Sequence, residues 1–414
     1  MKLQKIIEGL IYGLGAAFVF GVFSKLPLEF KSFPEVKIYL IDLIIFSLFW
    51  LWIFWHLANK KKFLLPSKLS STKILMGAFL ISILLNFGRF GISSSVIGFF
   101  YFARWFFYFG IYLLIFDLVK QKTDISKIKP GKVFLILGAT LSLTGLAQYL
   151  FLPDTRFLLS AGWDEHYFRI IGSFLDPNFM GIILVFLIQG IVVDYLFSPF
   201  EFKKRPEDWL KTGTLISLTV AFMLTYSRSS YLAFLSGIFI VFLFLKKPRL
   251  IFWLLFWFCL SLFFLPRPGG EGVKLERTAS VNQRIISWKQ ALTVWKQSPV
   301  FGVGFNNYRY AAINNLNLKN EQFQLSHSGA GVENSFLLVL ATSGVLGLAA
   351  FLYFWKSFLI KIFNFKSPQA KLLCLSWTIS ALINCQFLNS LFYPWVMVWL
   401  FFWLGYFSGL EKNY

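Results

Sequence analysis

The chain has 414 residues, 57 % of them apolar and 20 % aromatic, with only 14 % charged. That balance excludes a soluble globular domain and implies an all-α polytopic membrane protein, because apolar runs long enough to cross a hydrocarbon core of roughly 30 Å recur along the whole length. The net charge of +21, from 40 Lys and Arg against 19 Asp and Glu, could suggest nucleic-acid binding; the basic residues follow the loops rather than one face, so no nucleic-acid partner is expected.

In chain order the apolar runs are 7–24, 37–58, 74–92, 96–118, 132–152, 178–197, 211–226, 230–246, 249–265, 334–355, 371–390 and 393–409. They predict twelve transmembrane helices in a single membrane domain over 1–414. Lys2 and Lys5 precede the first run as in a signal peptide, but no small-x-small cleavage site comes before Lys25, so an uncleaved first span is expected. Alternate connections hold the basic residues: Lys60, Lys61, Lys62, Lys68 and Lys73; Lys120, Lys122, Lys127, Lys129 and Lys132; Lys203, Lys204, Arg205 and Lys211; Lys246, Lys247 and Arg249; Lys356, Lys361, Lys366 and Lys371. A cytoplasmic N-terminus puts all of these inside, so both termini are expected in the cytoplasm, with anionic membrane lipids answering the positive charge. Cys259, Cys374 and Cys385 lie within apolar runs without metal-ligand spacing and read as buried small apolar residues.

Two predicted outer segments are longer than a connection requires. The first, 153–177, carries Asp154, Arg156, Asp164, Glu165, His166, Arg169 and Asp176; the second, 266–333, is the longest polar stretch in the chain. Inside it N-Q-R-I-I-S-W-K-Q-A-L-T-V-W-K-Q (282–297) has helical periodicity that puts Arg284, Trp288, Ala291 and Trp295 on one face. A Trp-rich face flanked by Lys289 and Lys296 suits a helix lying at the membrane interface. Arg284 on that face is either snorkelling or part of an anion site. P-V-F-G-V-G-F-N-N-Y (299–308) follows as a tight turn, without the Lys-Ser/Thr of a phosphate loop.

Charge at membrane depth is costly and marks functional candidates. Arg104 in F-A-R-W-F-F is either such a candidate or is held by a structural partner such as a carbonyl or Asp117. Arg228 in L-T-Y-S-R-S-S-Y-L sits in a tight outer turn, either with its head in water or held facing the bundle interior. In F-R-I-I-G-S-F-L-D-P-N-F-M-G (168–181), Asp176 and Pro177 resemble the start of a helix with Asn178 in its first turn, and Arg169 stands near where that terminus would meet an anion. Arg169, Arg228 and Arg284 thus fall on three outer elements. Guanidinium forks suit phosphate oxygens, and a lipid-linked diphosphate is the anion at that depth. No paired acidic motif for a divalent metal accompanies them, so no metal or other cofactor is expected and the arginines themselves would neutralise a leaving diphosphate. His327 and Glu333, at the approach to the run starting at 334, are candidate bases for an acceptor hydroxyl; the alternatives are an exposed loop histidine and a helix N-terminal charge.

Four stretches in order, R-I-I-G-S-F-L-D-P-N (169–178), T-Y-S-R-S-S-Y-L (225–232), R-I-I-S-W-K-Q-A-L-T-V-W-K-Q-S-P-V-F-G-V-G-F-N-N-Y (284–308) and E-N-S-F-L-L-V-L-A-T-S-G-V-L-G-L (333–348), resemble the O-antigen ligase family, which includes O-antigen polymerases and protein O-oligosaccharyltransferases. The resemblance implies an all-helical, inverting, metal-independent glycosyltransferase of the bacterial inner membrane. Its donor is a glycan on undecaprenyl (polyprenyl) diphosphate and its acceptor a glycan, lipid or protein. In that family outer-side arginines hold the diphosphate and a loop histidine assists the acceptor; Arg169, Arg228 and His327 are the matching positions. Where the family commonly has His-Asn at the start of the late span, this chain has Glu333-Asn334, with His327 six residues earlier. Asn178 and Asn334 are expected in supporting roles. The competing classes are a transporter or flippase of lipid-linked glycan, which would show broken helices and an internal repeat that the sequence does not make evident, and a scaffold without chemistry.

Overall fold

The computed structural model describes residues 2–28, 36–67, 69–197, 206–316 and 331–411. The described residues are helical throughout, with three isolated bridges and no strand. The helices are α1 (Lys2–Phe20), α2 (Leu40–Asn59), α3 (Ser70–Leu85), α4 (Ile92–Lys120), α5 (Pro130–Phe151), α6 (Pro177–Phe197), α7 (Pro206–Met223), α8 (Arg228–Phe244), α9 (Pro248–Phe263), α10 (Ala279–Trp295), α11 (Tyr308–Leu316), α12 (Ser335–Phe363), α13 (Pro368–Asn384) and α14 (Pro394–Leu410). Six of them open on proline, whose fixed φ suits the first helical turn and whose missing N–H costs nothing there.

Each predicted apolar run is occupied by a helix. Those of α1, α2, α4, α5, α6 and α12 are long and apolar enough to cross a bilayer, while α3, α8, α9 and α14 are shorter apolar helices. Large apolar side chains cover the outside: Phe54, Phe151, Trp257 and Phe263 are 60–85 % exposed. Water would not tolerate such a surface, and lipid requires it. The protein is a multi-pass membrane protein. Cys374 and Cys385 are buried as expected, but Cys259 is exposed on α9, whose outer side carries Phe252, Trp253 and Trp257.

The centre is built from α14, buried along nearly all its length, and from α6 and α13. The most extensive packing joins α14 to α4 and α13 to α8. A polar relay crosses it: Gln189 donates to Ser380 Oγ (2.7 Å) and Ser380 to the Ala233 carbonyl (2.8 Å). Arg104 pairs with Asp42 through both Nε and Nη2, and Tyr108 adds a hydroxyl to the same carboxylate (2.8 Å). Asp117, the carboxylate the sequence suggested for Arg104, is instead enclosed by His56 Nε2 (2.7 Å), Trp52 Nε1 (2.8 Å) and the Leu64 N–H (2.8 Å).

Two departures from the sequence reading concern the segment between α9 and α12. The first is a break in α12 at Gly344 (φ 67°, ψ −169°). Residues 299–304 lie along the break and replace its missing helical bonds: Val303 N–H donates to Ala341 O (3.2 Å), Gly304 N–H to Thr342 O (2.9 Å), and in return Val345 N–H donates to Pro299 O (2.9 Å) and Leu346 N–H to Val300 O (3.3 Å). A Cβ on Gly302 would stand 2.2 Å from the Thr342 carbonyl carbon, and one on Gly344 2.1 Å from Val300 O. Gly302 and Gly344 are therefore there to let two backbones touch.

The second departure is the orientation of α10. Its Trp-bearing face is turned inward against protein: Ala291 and Val294 are buried with Val303, Ala311, Val332 and Leu338, Trp288 Nε1 donates to Glu333 O (3.2 Å), and Trp295 Nε1 to Pro299 O (3.1 Å). Apolar Val281, Ile285 and Ile286 occupy the exposed side.

Candidate active site

At the end of the bundle where α6, α8 and α12 begin, three caps fix the local backbone. Asp176 accepts the N–H groups of Asn178 (2.6 Å) and Phe179 (3.0 Å), Ser227 caps α8, and Asn334 accepts those of Phe336 (2.9 Å) and Leu337 (3.0 Å). Each cap is worth about 1 kcal/mol. Asn178 also accepts from Ser227 Oγ (2.8 Å), and its carbonyl from Ser230 Oγ (3.2 Å), so the starts of α6 and α8 are stitched together. Asn334 donates to Gln386 O (3.1 Å), tying α12 to the segment after α13. Both asparagines hold helix starts in position.

On this frame the arginines gather. Arg169 is buried, its Nε donating to Thr225 O (2.9 Å) and its Nη2 reaching Tyr226 O at 3.5 Å. Arg277, which the sequence reading did not single out, comes to the same carbonyl at 3.1 Å and also donates to Gly272 O (2.7 Å) and Lys274 O (2.8 Å). Gly272 lies against the Arg169 stem, where a Cβ would meet its Cδ at 3.0 Å. At the first position of α8, Arg228 donates to Leu275 O (3.0 Å) and Ser280 Oγ (2.6 Å). From α10, Arg284 donates to Phe387 O (3.1 Å) and stands 3.3 Å from Glu333 Oε2.

These partners are mostly neutral carbonyls, so the positive charge of the cluster is poorly compensated. Burial, then Arg277, pulls the Arg169 pKa down to about 9; burial, then Arg228 and Arg284, pulls Arg277 down to about 10. Both stay charged at neutral pH, yet each shift records guanidiniums crowded together in a desolvated place. Burial raises the carboxyls of Asp164, Asp176 and Glu333; Arg169 opposes the rise in the first two and Arg284 in Glu333, while Asp164 and Asp176 add to it in Glu333. Such an arrangement has the chemistry to receive an anion with several oxygens.

Residues 213–352 match the sequence model of the family described as O-antigen ligase. Over those residues the chain is similar to the O-antigen ligase family. The match runs from α7 into α12 and takes in Arg228, Arg277, Arg284 and Glu333, as well as the loop that fills the break in α12; Arg169 lies outside it. A comparison with curated proteins found no match. The family comprises membrane enzymes of polysaccharide biosynthesis that act on lipid-linked glycans and glycan acceptors.

Of the site residues expected from the sequence, the structure brings Arg169, Arg228, Arg284 and Glu333 to one end of the helical bundle, with Asn178 and Asn334 in the adjoining caps. His327 lies outside the described residues. Arg277 had one weak signal, its place seven residues before Arg284. That spacing suggests a shared helical face, but α10 begins only at Ala279 and the carbonyl Arg277 shares belongs to the turn before α8.

Proposed function

We propose that the protein moves a glycan from a polyprenyl diphosphate to a hydroxyl acceptor at the outer face of a bacterial inner membrane, in an all-helical frame of twelve spans with both termini in the cytoplasm. The observation that carries this reading is the meeting of Arg169 and Arg277 on one carbonyl oxygen, with Arg228 and Arg284 close by and Glu333 paired to the last. Two like charges sharing one neutral acceptor are held ready for an anion.

In the proposed reaction the acceptor hydroxyl attacks the anomeric carbon from the side opposite the diphosphate, and the configuration inverts. The C–O bond to phosphate breaks as the new glycosidic bond forms, and the electron pair leaves on the diphosphate. Arg169, Arg228, Arg277 and Arg284 stabilise that growing charge from fixed positions, without a metal. The acceptor proton passes to Glu333 or to His327. A phosphate oxygen drawn to Arg284 would take the place of the Glu333 carboxylate, leaving it unpaired and basic when the acceptor arrives.

The break in α12 is the feature that speaks for a transporter. Backbone from 299–304 fills it, however, which supports a fixed structural joint over a binding gap.

The test is transfer by the purified protein from undecaprenyl-diphosphate glycan to candidate glycan, lipid and protein acceptors. Arg228→Ala and Arg277→Ala are each expected to lower turnover by about a hundredfold. Full activity in both would remove the donor site, and counterflow of intact lipid without product would favour the transporter.

A further inference from the structure

One side chain at the arginine cluster has a buried polar atom left over. His166 is 8 % exposed, and its Nε2 has no hydrogen-bond partner. Its main chain is pinned, because Thr155 donates both its N–H (3.0 Å) and its hydroxyl (2.9 Å) to the His166 carbonyl. The next residue, Tyr167, bridges to Asp154, and Phe168 takes a left-handed turn (φ 49°) before Arg169. The backbone that carries the imidazole is thus fixed, and an unmet hydrogen bond in a buried place is a standing cost that a ligand atom can relieve.

The charged groups acting on this imidazole are Arg169 from its own segment and Arg277 from the segment ahead of α10. Burial first, and then these two guanidiniums, push its pKa down to about 3, so without a ligand it is neutral. Both guanidiniums also reach Tyr226 O, so the two charges that act on the imidazole are the pair on which an anion would dock.

We propose that His166 belongs to the anion site, its Nε2 hydrogen-bonding the bound diphosphate and taking up a proton as that anion arrives. The inference rests on reading the cluster as the diphosphate site. A diphosphate between Arg169 and Arg277 reverses the sign of the field at the ring, and a negative charge within hydrogen-bonding distance favours the imidazolium. His166 makes and breaks no covalent bond to substrate: a solvent proton moves onto it as the donor binds and returns to solvent when polyprenyl diphosphate leaves. Linkage then fixes the sign of the pH effect. Between the low pKa of the free site and the higher one of the occupied site, anion affinity falls by about tenfold for each unit of rising pH.

The experiment titrates the full-length protein in detergent with inorganic diphosphate near pH 6, in buffers of different protonation heat, so that calorimetry counts the protons exchanged. Wild type is expected to take up close to one proton more per diphosphate than His166→Gln or His166→Asn. The titration of the ligand is common to all three proteins, so the difference belongs to His166. The chain holds three histidines, and nitrogen-labelled imidazole spectra of the unmutated protein read the same event directly: one ring converts from neutral to imidazolium on adding diphosphate. Equal proton counts in all three proteins, or no ring converting, overturn the role of His166 while leaving the anion site intact. Absence of binding by wild type, or binding untouched by Arg228→Ala and Arg277→Ala together, overturns the anion site itself.

Discussion

Glu333 stands 3.3 Å from Arg284 with 42 % of its side chain still exposed, and influences of opposite sign act on its carboxyl. Burial, Asp164 and Asp176 raise its pKa, and Arg284 lowers it. A base works in its deprotonated form, so if Glu333 is the base, activity rises with pH through this raised value, above the usual carboxylate range. Arg284→Gln removes the lowering influence and is expected to move the acid limb of kcat/KM to higher pH. Glu333→Gln is expected to abolish the limb and cost about a hundredfold in rate. A limb unmoved in Arg284→Gln assigns the titration to another group, His327 first. The presence of charged residues at this end was legible in the sequence because charge amid apolar runs has few neutral explanations. Their pairings were not: Arg104 finds Asp42 from 62 positions away, and Arg284 finds a residue on the far side of the late outer segment. Only the fold brings such partners together.

At the scale of elements, α12 and the 299–304 segment form one joint. Four backbone hydrogen bonds cross it, Ser82 Oγ adds a fifth to Thr342 O (2.7 Å), and Asn86 Nδ2 holds Gly302 O (3.0 Å) from α3's end. The joint fixes how the segment bearing Arg284 sits on the helix that follows Glu333. Gly344→Ala would drive a Cβ into the Val300 carbonyl at a left-handed φ, a change expected to cost about 2–4 kcal/mol and to lower activity through lost alignment of Arg284 and Glu333. Thermal unfolding in detergent measures the first effect. Gly77→Ala on α3, where a Cβ meets nothing within 4 Å, is the control and should unfold no earlier than wild type. A Gly344→Ala protein as stable as this control would mean that the joint does not hold the loop. The positions of the helices were readable from apolar runs and proline starts. The break was not, since T-S-G-V-L-G lies inside a helix apolar enough to span and glycine is common in membrane helices; only the approach of a second backbone explains it. The α10 face packs on protein, a neighbour its periodicity could not name, because a Trp-rich face suits protein and lipid interface equally.

Across the whole molecule, segments predicted on one side of the membrane meet one another. Glu8 of α1 accepts from the Asp124 N–H (3.3 Å), and Glu411 after α14 accepts the N–H groups of Lys366 (3.0 Å) and Ser367 (3.1 Å) ahead of α13 while its carbonyl receives Lys120 Nζ. The arginine cluster unites the segments at the opposite end. Basic residues crowd the first set, so the orientation we propose, which follows the positive-inside rule, has that set in the cytoplasm and the arginine cluster at the outer face. That assignment has a direct consequence in a protein whose native cysteines are replaced by serine. Ser160→Cys, beside the arginine end, is expected to react with a membrane-impermeant maleimide in intact cells stripped of any outer barrier, and Lys62→Cys only after lysis. Labelling of Lys62→Cys in intact cells would invert the molecule, placing the arginine cluster in the cytoplasm, where a glycan already carried to the outer leaflet could not reach it.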